Sequence, residues 1–501
     1  MSPIGSPTSA RPLSETWLAR QYSFSAAALL RSISATELIK TRPGFGQTIR
    51  PAKGSVLASP ILASYDPDPD YFFHWMRDSA IVIDALRRLI VAGTVGREGL
   101  DHFKDFLAFS LSLCDLNGQK FLSEAGDFRR NVEPFFLQYV RPEAELAKII
   151  GDHALAEPRF NPDGTLDIIK WSRPQHDGPA LRALTAMRFC SLELDAATRA
   201  AARALITRDV AFCIQHWRDP SYDIWEEELG RHYYTRLVQY AALADGARWL
   251  EDEGESGISR ACRAASEEIE RSLDQHWSDS SGYYRSRLAP AIEESSKDLD
   301  FATILGVIHA DRPEGPHSVL DPKALATLAK LESLFETTYP INRLEPARRA
   351  PAMGRYAGDR YYSGGAYYFS TLGAAQFYFS LSAAIATGAS IGSNPDDQEF
   401  LHQLGFHVMK DSAAATESSA PNRRAELGEA LFHRGDLFMA TVEAYAPTSG
   451  ELAEQFDQAT GAPASAKDLA WSHAAFITAF ASRAAALRAK KSGPLAVGAL
   501  R

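Results

Sequence analysis

The sequence predicts an all-α protein built as one large body. Two observations carry that prediction. About a dozen segments place apolar residues at the helical period. Strand-like runs are few and short, such as SVLASPILA (55–63) and GYYRSRL (282–288). A third observation places the layers. Residues 366–392, AYYFSTLGAAQFYFSLSAAIATGASIG, carry no charge. Their length would admit a membrane span, but Ser, Thr, Gln and Gly are frequent there and no second span accompanies them. A helix apolar all round belongs to the buried inner layer of a large fold.

The expected helices run in order over 14–33, 78–93, 97–114, 142–155, 178–189, 197–217, 232–250 and 257–277. The series continues over 322–336, 364–389, 394–412, 426–446 and 466–487. Ser14 is the expected N-cap of the first, since its hydroxyl can accept from a free backbone N–H. No repeat of 30–45 residues is visible, and no Pro/Ser-rich linker separates two bodies.

Composition narrows the function. The chain has 501 residues, 45% of them hydrophobic, and a net charge of −10. No basic block exceeds Lys490-Lys491, so nucleic acid is not an expected partner. Cys114, Cys190, Cys213 and Cys262 form no CxxC pair and no zinc spacing. Sparse, scattered cysteines suit a reducing compartment. The stretch MSPIGSPTSARPLSETW lacks an apolar signal region, so a cytoplasmic location is expected. No histidine pair has ligand spacing, and neither a phosphate loop nor a G-x-S-x-G elbow occurs. Neither a metal nor a cofactor is expected.

The chemistry-bearing residues fall between helices. They lie in YDPDPDYFFHWMRD (65–78), WSRPQHDGP (171–179), YDIWEEELG (222–230), MGRYAGDRYYSGG (353–365) and ELAEQFDQATG (451–461). Each loop opens a helix. Loops on a rigid scaffold commonly carry function, so five of this kind suggest one rim of a barrel.

Each candidate has two readings. Glu226, Glu227 and Glu228 follow Trp225. They suit the first turn of a helix running to Leu250, favoured there by the helix dipole. Alternatively, one is a general acid whose pKa an indole face raises by desolvation. Glycoside cleavage would then need a second carboxylate. Glu454 is one candidate, and otherwise an ordinary loop residue. Arg77-Asp78 is either a helix-start ion pair or a grip on sugar hydroxyls, and Arg355 with Asp359 reads similarly. Trp171 is core or a sugar platform.

Together and in this order, the segments 69–80, 171–183, 222–235, 354–365 and 453–475 resemble the glucoamylases of glycoside hydrolase family fifteen. The last contains Glu454-Gln455-Phe456-Asp457 and the Asp468–Ser472 stretch. The resemblance implies a single (α/α)6 barrel of about twelve helices, here residues 51–487. Residues 1–50 would be an extension whose first helix packs on it, and 488–501 a tail. It implies inverting, exo-acting hydrolysis of α-1,4-glucans to β-glucose. Glu226 then falls on the general acid and Glu454 on the general base. Glu227, with Trp225, would contact the sugar on the leaving-group side.

Arg77, Asp78 and Arg355 fall on residues holding the terminal glucose. Tyr71 and Trp75 fall in the wall near the water, and Trp171 falls on a sugar-contacting indole. Tyr361 and Tyr367 are expected to touch sugar as well. Gly365-Ala366-Tyr367 replaces an Asn-Pro-Trp found in many fungal members, which changes the platform there. No starch-binding module follows, so a soluble glucan such as glycogen or maltooligosaccharides is the expected partner, acted on by a monomer. The competing readings are an enzyme of the same family acting on trehalose or isomaltooligosaccharides, or a non-catalytic glucan-binding protein.

Overall fold

A computed structural model of the chain describes residues 13–63, 67–124, 126–288, 295–345, 348–362, 364–406 and 420–492. Among the described residues, twelve helices of nine residues or more alternate between two layers. The outer ones are α1 (Glu15–Ser32), α3 (Glu98–Cys114), α5 (Ala196–His216), α7 (Ser256–Leu273), α9 (Pro322–Thr338) and α11 (Ala420–Tyr445). The inner ones are α2 (Met76–Val91), α4 (Asp177–Phe189), α6 (Tyr233–Asp252), α8 (Ala302–Ala310), α10 (Tyr368–Ala386) and α12 (Ala470–Ser492).

Contacts close the inner set into a ring. α2 packs on α4, α4 on α6, α6 on α8, α8 on α10, α10 on α12, and α12 returns to α2. This is the (α/α)6 barrel that the family resemblance implies. The outer layer covers it. α1 lies against α12 and α2, α5 against α4 and α6, and α11 against α10 and α12.

Local chemistry explains the ends. Ser14 caps α1 by accepting from the Trp17 N–H at 3.2 Å. The charge-free segment forms α10, where every residue from Tyr368 to Ala375 is buried. Among the described residues, no helix is long and apolar enough to cross a membrane.

Some sequence expectations fail locally. Residues 142–155 form two single-turn helices, Glu143–Leu146 and Asp152–Leu155, broken at Gly151, whose φ is +59°. The expected strand at 55–63 contributes only a bridge between Val56 and Ile33. The helix expected over 394–412 shrinks to Gln398–Gln403, and positions 407–412 lie outside the described residues. Conversely, α8 was not anticipated. Its nine residues are nearly all buried, and a short continuous apolar run does not show its period.

Candidate active site

All six inner helices begin at the same rim, and the loops entering them converge there. A cavity of about 470 Å³ opens between them. It is lined by Tyr71, Trp75, Arg77, Asp78, Trp171, Trp225, Glu226, Glu227, Arg355, Tyr361 and Glu454. Eleven of the twelve residues expected to act on or touch the sugar are therefore brought together. Tyr367 is not among them. It is 1% exposed and lies beneath the wall, accepting from the Gln455 side-chain amide at 2.8 Å. Its strand pairs with Gln455–Phe456, Tyr367 opposite Gln455, so it supports the site from below.

The glutamate run does not start a helix. Residues 221–222 pair with 229–230 as a two-residue antiparallel ladder, and the glutamates form the turn between them. Asp223 closes it: its Oδ1 accepts from the N–H groups of Glu227 at 2.7 Å and Glu228 at 3.2 Å. α6 begins only at Tyr233, so the dipole reading is replaced by this turn. Glu226 sits at φ +65°, a left-handed conformation that costs a non-glycine residue about 1–2 kcal/mol.

The turn also resolves the mutual repulsion, because the three carboxylates point apart. Glu228 meets Arg287 at 3.0 Å. Glu227 accepts from Arg355 at 2.9 Å and from the Tyr356 hydroxyl at 2.6 Å, and Lys297 also donates to it. Burial pushes the Glu227 carboxyl up, but these partners outweigh it and hold it below the usual range. Glu226 Oε1 accepts from Trp75 Nε1 and Gln175 Nε2, both at 2.8 Å, with Arg77 at 3.5 Å. Its Oε2 accepts from Trp171 Nε1.

Trp171 is 37% exposed at the cavity mouth. The Arg159 guanidinium lies 3.6 Å from its ring centroid and is itself fixed by buried Asp167 at 2.8 Å.

Arg77 binds Asp177 at 3.0 Å and Gln175 at 3.1 Å, joining the starts of α2 and α4. The two helices approach closely because Gly178 has no side chain. A Cβ there would lie 2.7 Å from that of Met76. Asp78 is buried against the cavity with Arg77 Nε at 3.6 Å, and burial raises its carboxyl to about 7. Arg355 forms a two-pronged pair with Asp359, at 2.6 and 2.5 Å.

Glu454 has different surroundings. A three-stranded sheet of 366–367, 455–456 and 463–464 holds its loop. Its carboxylate accepts from Ser465 Oγ at 2.5 Å and from the Tyr71 hydroxyl at 3.5 Å. The Tyr71 and Tyr361 hydroxyls are 2.8 Å apart. Burial raises Glu454 to about 7, against the pull of Ser465 and Arg355.

The sequence reading missed the sixth loop, 295–301, which supplies Lys297 and Asp300. Asp300 accepts the Trp225 indole N–H at 2.8 Å and the Ala302 N–H at 2.7 Å. It thereby ties the glutamate turn to the start of α8. Burial raises its carboxyl to about 8. The reading also missed the floor, where Trp471 stacks on Phe369 at 4.4 Å and 8°. Trp471 stands inside the quoted Asp468–Ser472 stretch, so the signal was present. Among the described residues, no cluster of three or more His, Cys, Asp or Glu could hold a metal ion.

Comparison with known proteins agrees with this fold. A family model described as "Glycosyl hydrolases family 15" matches residues 43–481. Glucoamylase 1 of Rhizopus oryzae is 27% identical over 486 residues, covering 94% of this chain and 71% of its own. The intracellular sporulation-specific glucoamylase of Saccharomyces cerevisiae is 26% identical, covering 86% and 78%. The solved glucoamylase of Hormoconis resinae superposes with a TM-score of 0.76 at 26% identity, over 94% of this chain and 73% of that one. The match spans both carboxylate loops and nearly the whole barrel, and the chain belongs to glycosyl hydrolase family 15.

Proposed function

We propose that the protein is an inverting, exo-acting glucoamylase that removes glucose from the non-reducing ends of α-1,4-linked glucans. The observation that carries the reading is the pair Glu226 and Glu454. They line one cavity, share no hydrogen bond with each other, and differ in environment. An inverting glycosidase needs such a pair, about 6.5–9.5 Å apart, with room for a water. A cavity floored by the Trp471–Phe369 stack suits a chain end rather than a chain interior.

In this reading Glu226 protonates the glycosidic oxygen. Three donors already occupy its Oε1, so the transferable proton resides on Oε2, the side facing Trp171. Glu454 takes a proton from water as that water attacks C1 from the opposite face, with Tyr71 and Ser465 orienting the carboxylate. The product is β-glucose. Arg77, Asp78 and Arg355 grip the hydroxyls of the terminal glucose, and Tyr71, Trp75 and Tyr361 form its walls. Trp171, Trp225 and Glu227 meet the leaving-group sugar. Tyr367 steadies Arg355, whose guanidinium lies 5.5 Å from its ring centroid. Acid–base groups of this kind each contribute ~10²–10⁴-fold.

We place the folding unit at α1–α12, because α1 completes the outer layer against α12 and α2. The protein acts as a cytoplasmic monomer on glycogen or maltooligosaccharides, in keeping with its similarity to an intracellular yeast relative. Product analysis tests the reading. Maltoheptaose should yield glucose and maltohexaose as its first products. Maltotriose or maltotetraose released first, or cleavage confined to trehalose or isomaltose, would refute it.

A further inference from the structure

A group of exposed apolar side chains lies beside the segment that carries Trp171 to the cavity. Residues Pro134–Tyr139 form a short 3-10 helix that exposes Phe135 (65%), Leu137 and Tyr139 (45%). Single exposed apolar side chains need no explanation, but a contiguous group beside a cleft does. The helix is firmly seated. Phe136 turns inward and packs on Phe45 at 5.1 Å. Gly44 makes room for it, since a Cβ there would lie 2.5 Å from the Phe136 ring. The seat therefore fixes Phe135 and Tyr139 outward, their rings 6.0 Å apart.

Strand register ties this group to the cavity. Val140 and Ile169 form an antiparallel bridge, and both side chains are buried. The next pair along, Tyr139 and Lys170, therefore faces the opposite, solvent side. The Lys170 N–H donates to the Tyr139 carbonyl at 2.8 Å. Lys170 and its neighbour Trp171 line the cavity. A continuous path thus runs from Trp171 over Lys170 to Tyr139 and then Phe135.

We propose that Tyr139 and Phe135 form an accessory platform that binds the leaving portion of a long α-glucan, several sugars beyond the scissile bond. Exposed rings held in place suit the apolar faces of glucose units, and they cost little ordering entropy because the backbone already fixes them. The path begins at Trp171, on the leaving-group side of Glu226, so the occupant is the aglycone chain. A second protein would not account for that continuity. The platform rests on the glucoamylase reading for its substrate class. Its consequence is a preference for long chains over maltose, which is too short to reach it.

The test is the double substitution Phe135→Ala with Tyr139→Ala, which touches exposed side chains and leaves Phe136 in its seat. Two readouts are needed. The ratio of kcat/KM on maltoheptaose to that on maltose should fall about five- to tenfold. In native gels containing glycogen, the parent protein should be retarded and the double variant much less so.

An unchanged ratio with undiminished retardation would overturn the proposal. So would a parent dimer, seen by light scattering, that the substitutions abolish, because the patch would then serve a second copy of the chain. If the parent cleaves neither maltose nor maltoheptaose, the glucoamylase reading fails. The gel comparison still decides the platform on its own, since loss of retardation in the variant supports it and equal migration refutes it.

Discussion

Glu226 and Glu454 line one cavity, yet their surroundings are opposite. Glu226 stands in a strained turn with indole and amide N–H groups on both oxygens. Glu454 lies partly buried and, among the described residues, accepts from two hydroxyls. One environment supplies fixed dipoles, and the other removes solvent. Burial is what lifts Glu454 to about 7. Burial alone favours the proton on Glu454, so its assignment as the base rests on the family resemblance and not on this shift.

The largest expected effect comes from removing either carboxyl. Glu226→Gln and Glu454→Gln should each lower kcat by ~10²–10⁴-fold while leaving the helical circular dichroism intact. Parent-like turnover in either variant would break the comparison at its root.

The next effect separates the two sites by stability. The folded-state pKa of Glu454 lies above the usual carboxyl range near ~4.3, so the fold favours its neutral form. That contribution is complete below the unfolded pKa and fades as pH rises through about 7. Glu454→Gln, neutral at every pH, should therefore melt above the parent at pH 8 and level with it at pH 4. Equal melting at pH 8 would mean that burial does not penalise the carboxylate.

A smaller effect tunes the same group. Ser465 donates to the Glu454 carboxylate and lowers its pKa. Ser465→Ala should move the acid limb of kcat/KM to higher pH by about one unit. A limb that stays in place would show that another group sets it. The smallest effect is Asp300→Asn. Asn keeps one acceptor for the Trp225 indole, so activity should drop only about two- to fivefold. A loss as large as that of Glu226→Gln would give Asp300 a direct part in the chemistry.

Much of the scaffold was legible because it rests on local rules. The Ser14 cap, the helical periods and the charge-free α10 each follow from residues near in sequence. The rim was legible through five loops that share composition. What escaped depends on distant partners. The left-handed Glu226 is set by Asp223 and by the pairing of 221–222 with 229–230. Asp300 reveals its role only when Trp225 lies against it. Tyr367 is turned inward by its place opposite Gln455 in a sheet made from two separate loops. The nine-residue α8 is too short to display a period, and with it the sixth loop escaped.

The most direct test of the central claim is the configuration of the sugar first released. Proton NMR of the protein with maltotriose, followed through the first minutes before mutarotation, reads it from the anomeric signals. The account predicts β-glucose first, because water held by Glu454 attacks the face opposite the bond that Glu226 protonates. α-Glucose first would contradict it, since retention requires a carboxylate to attack C1 itself.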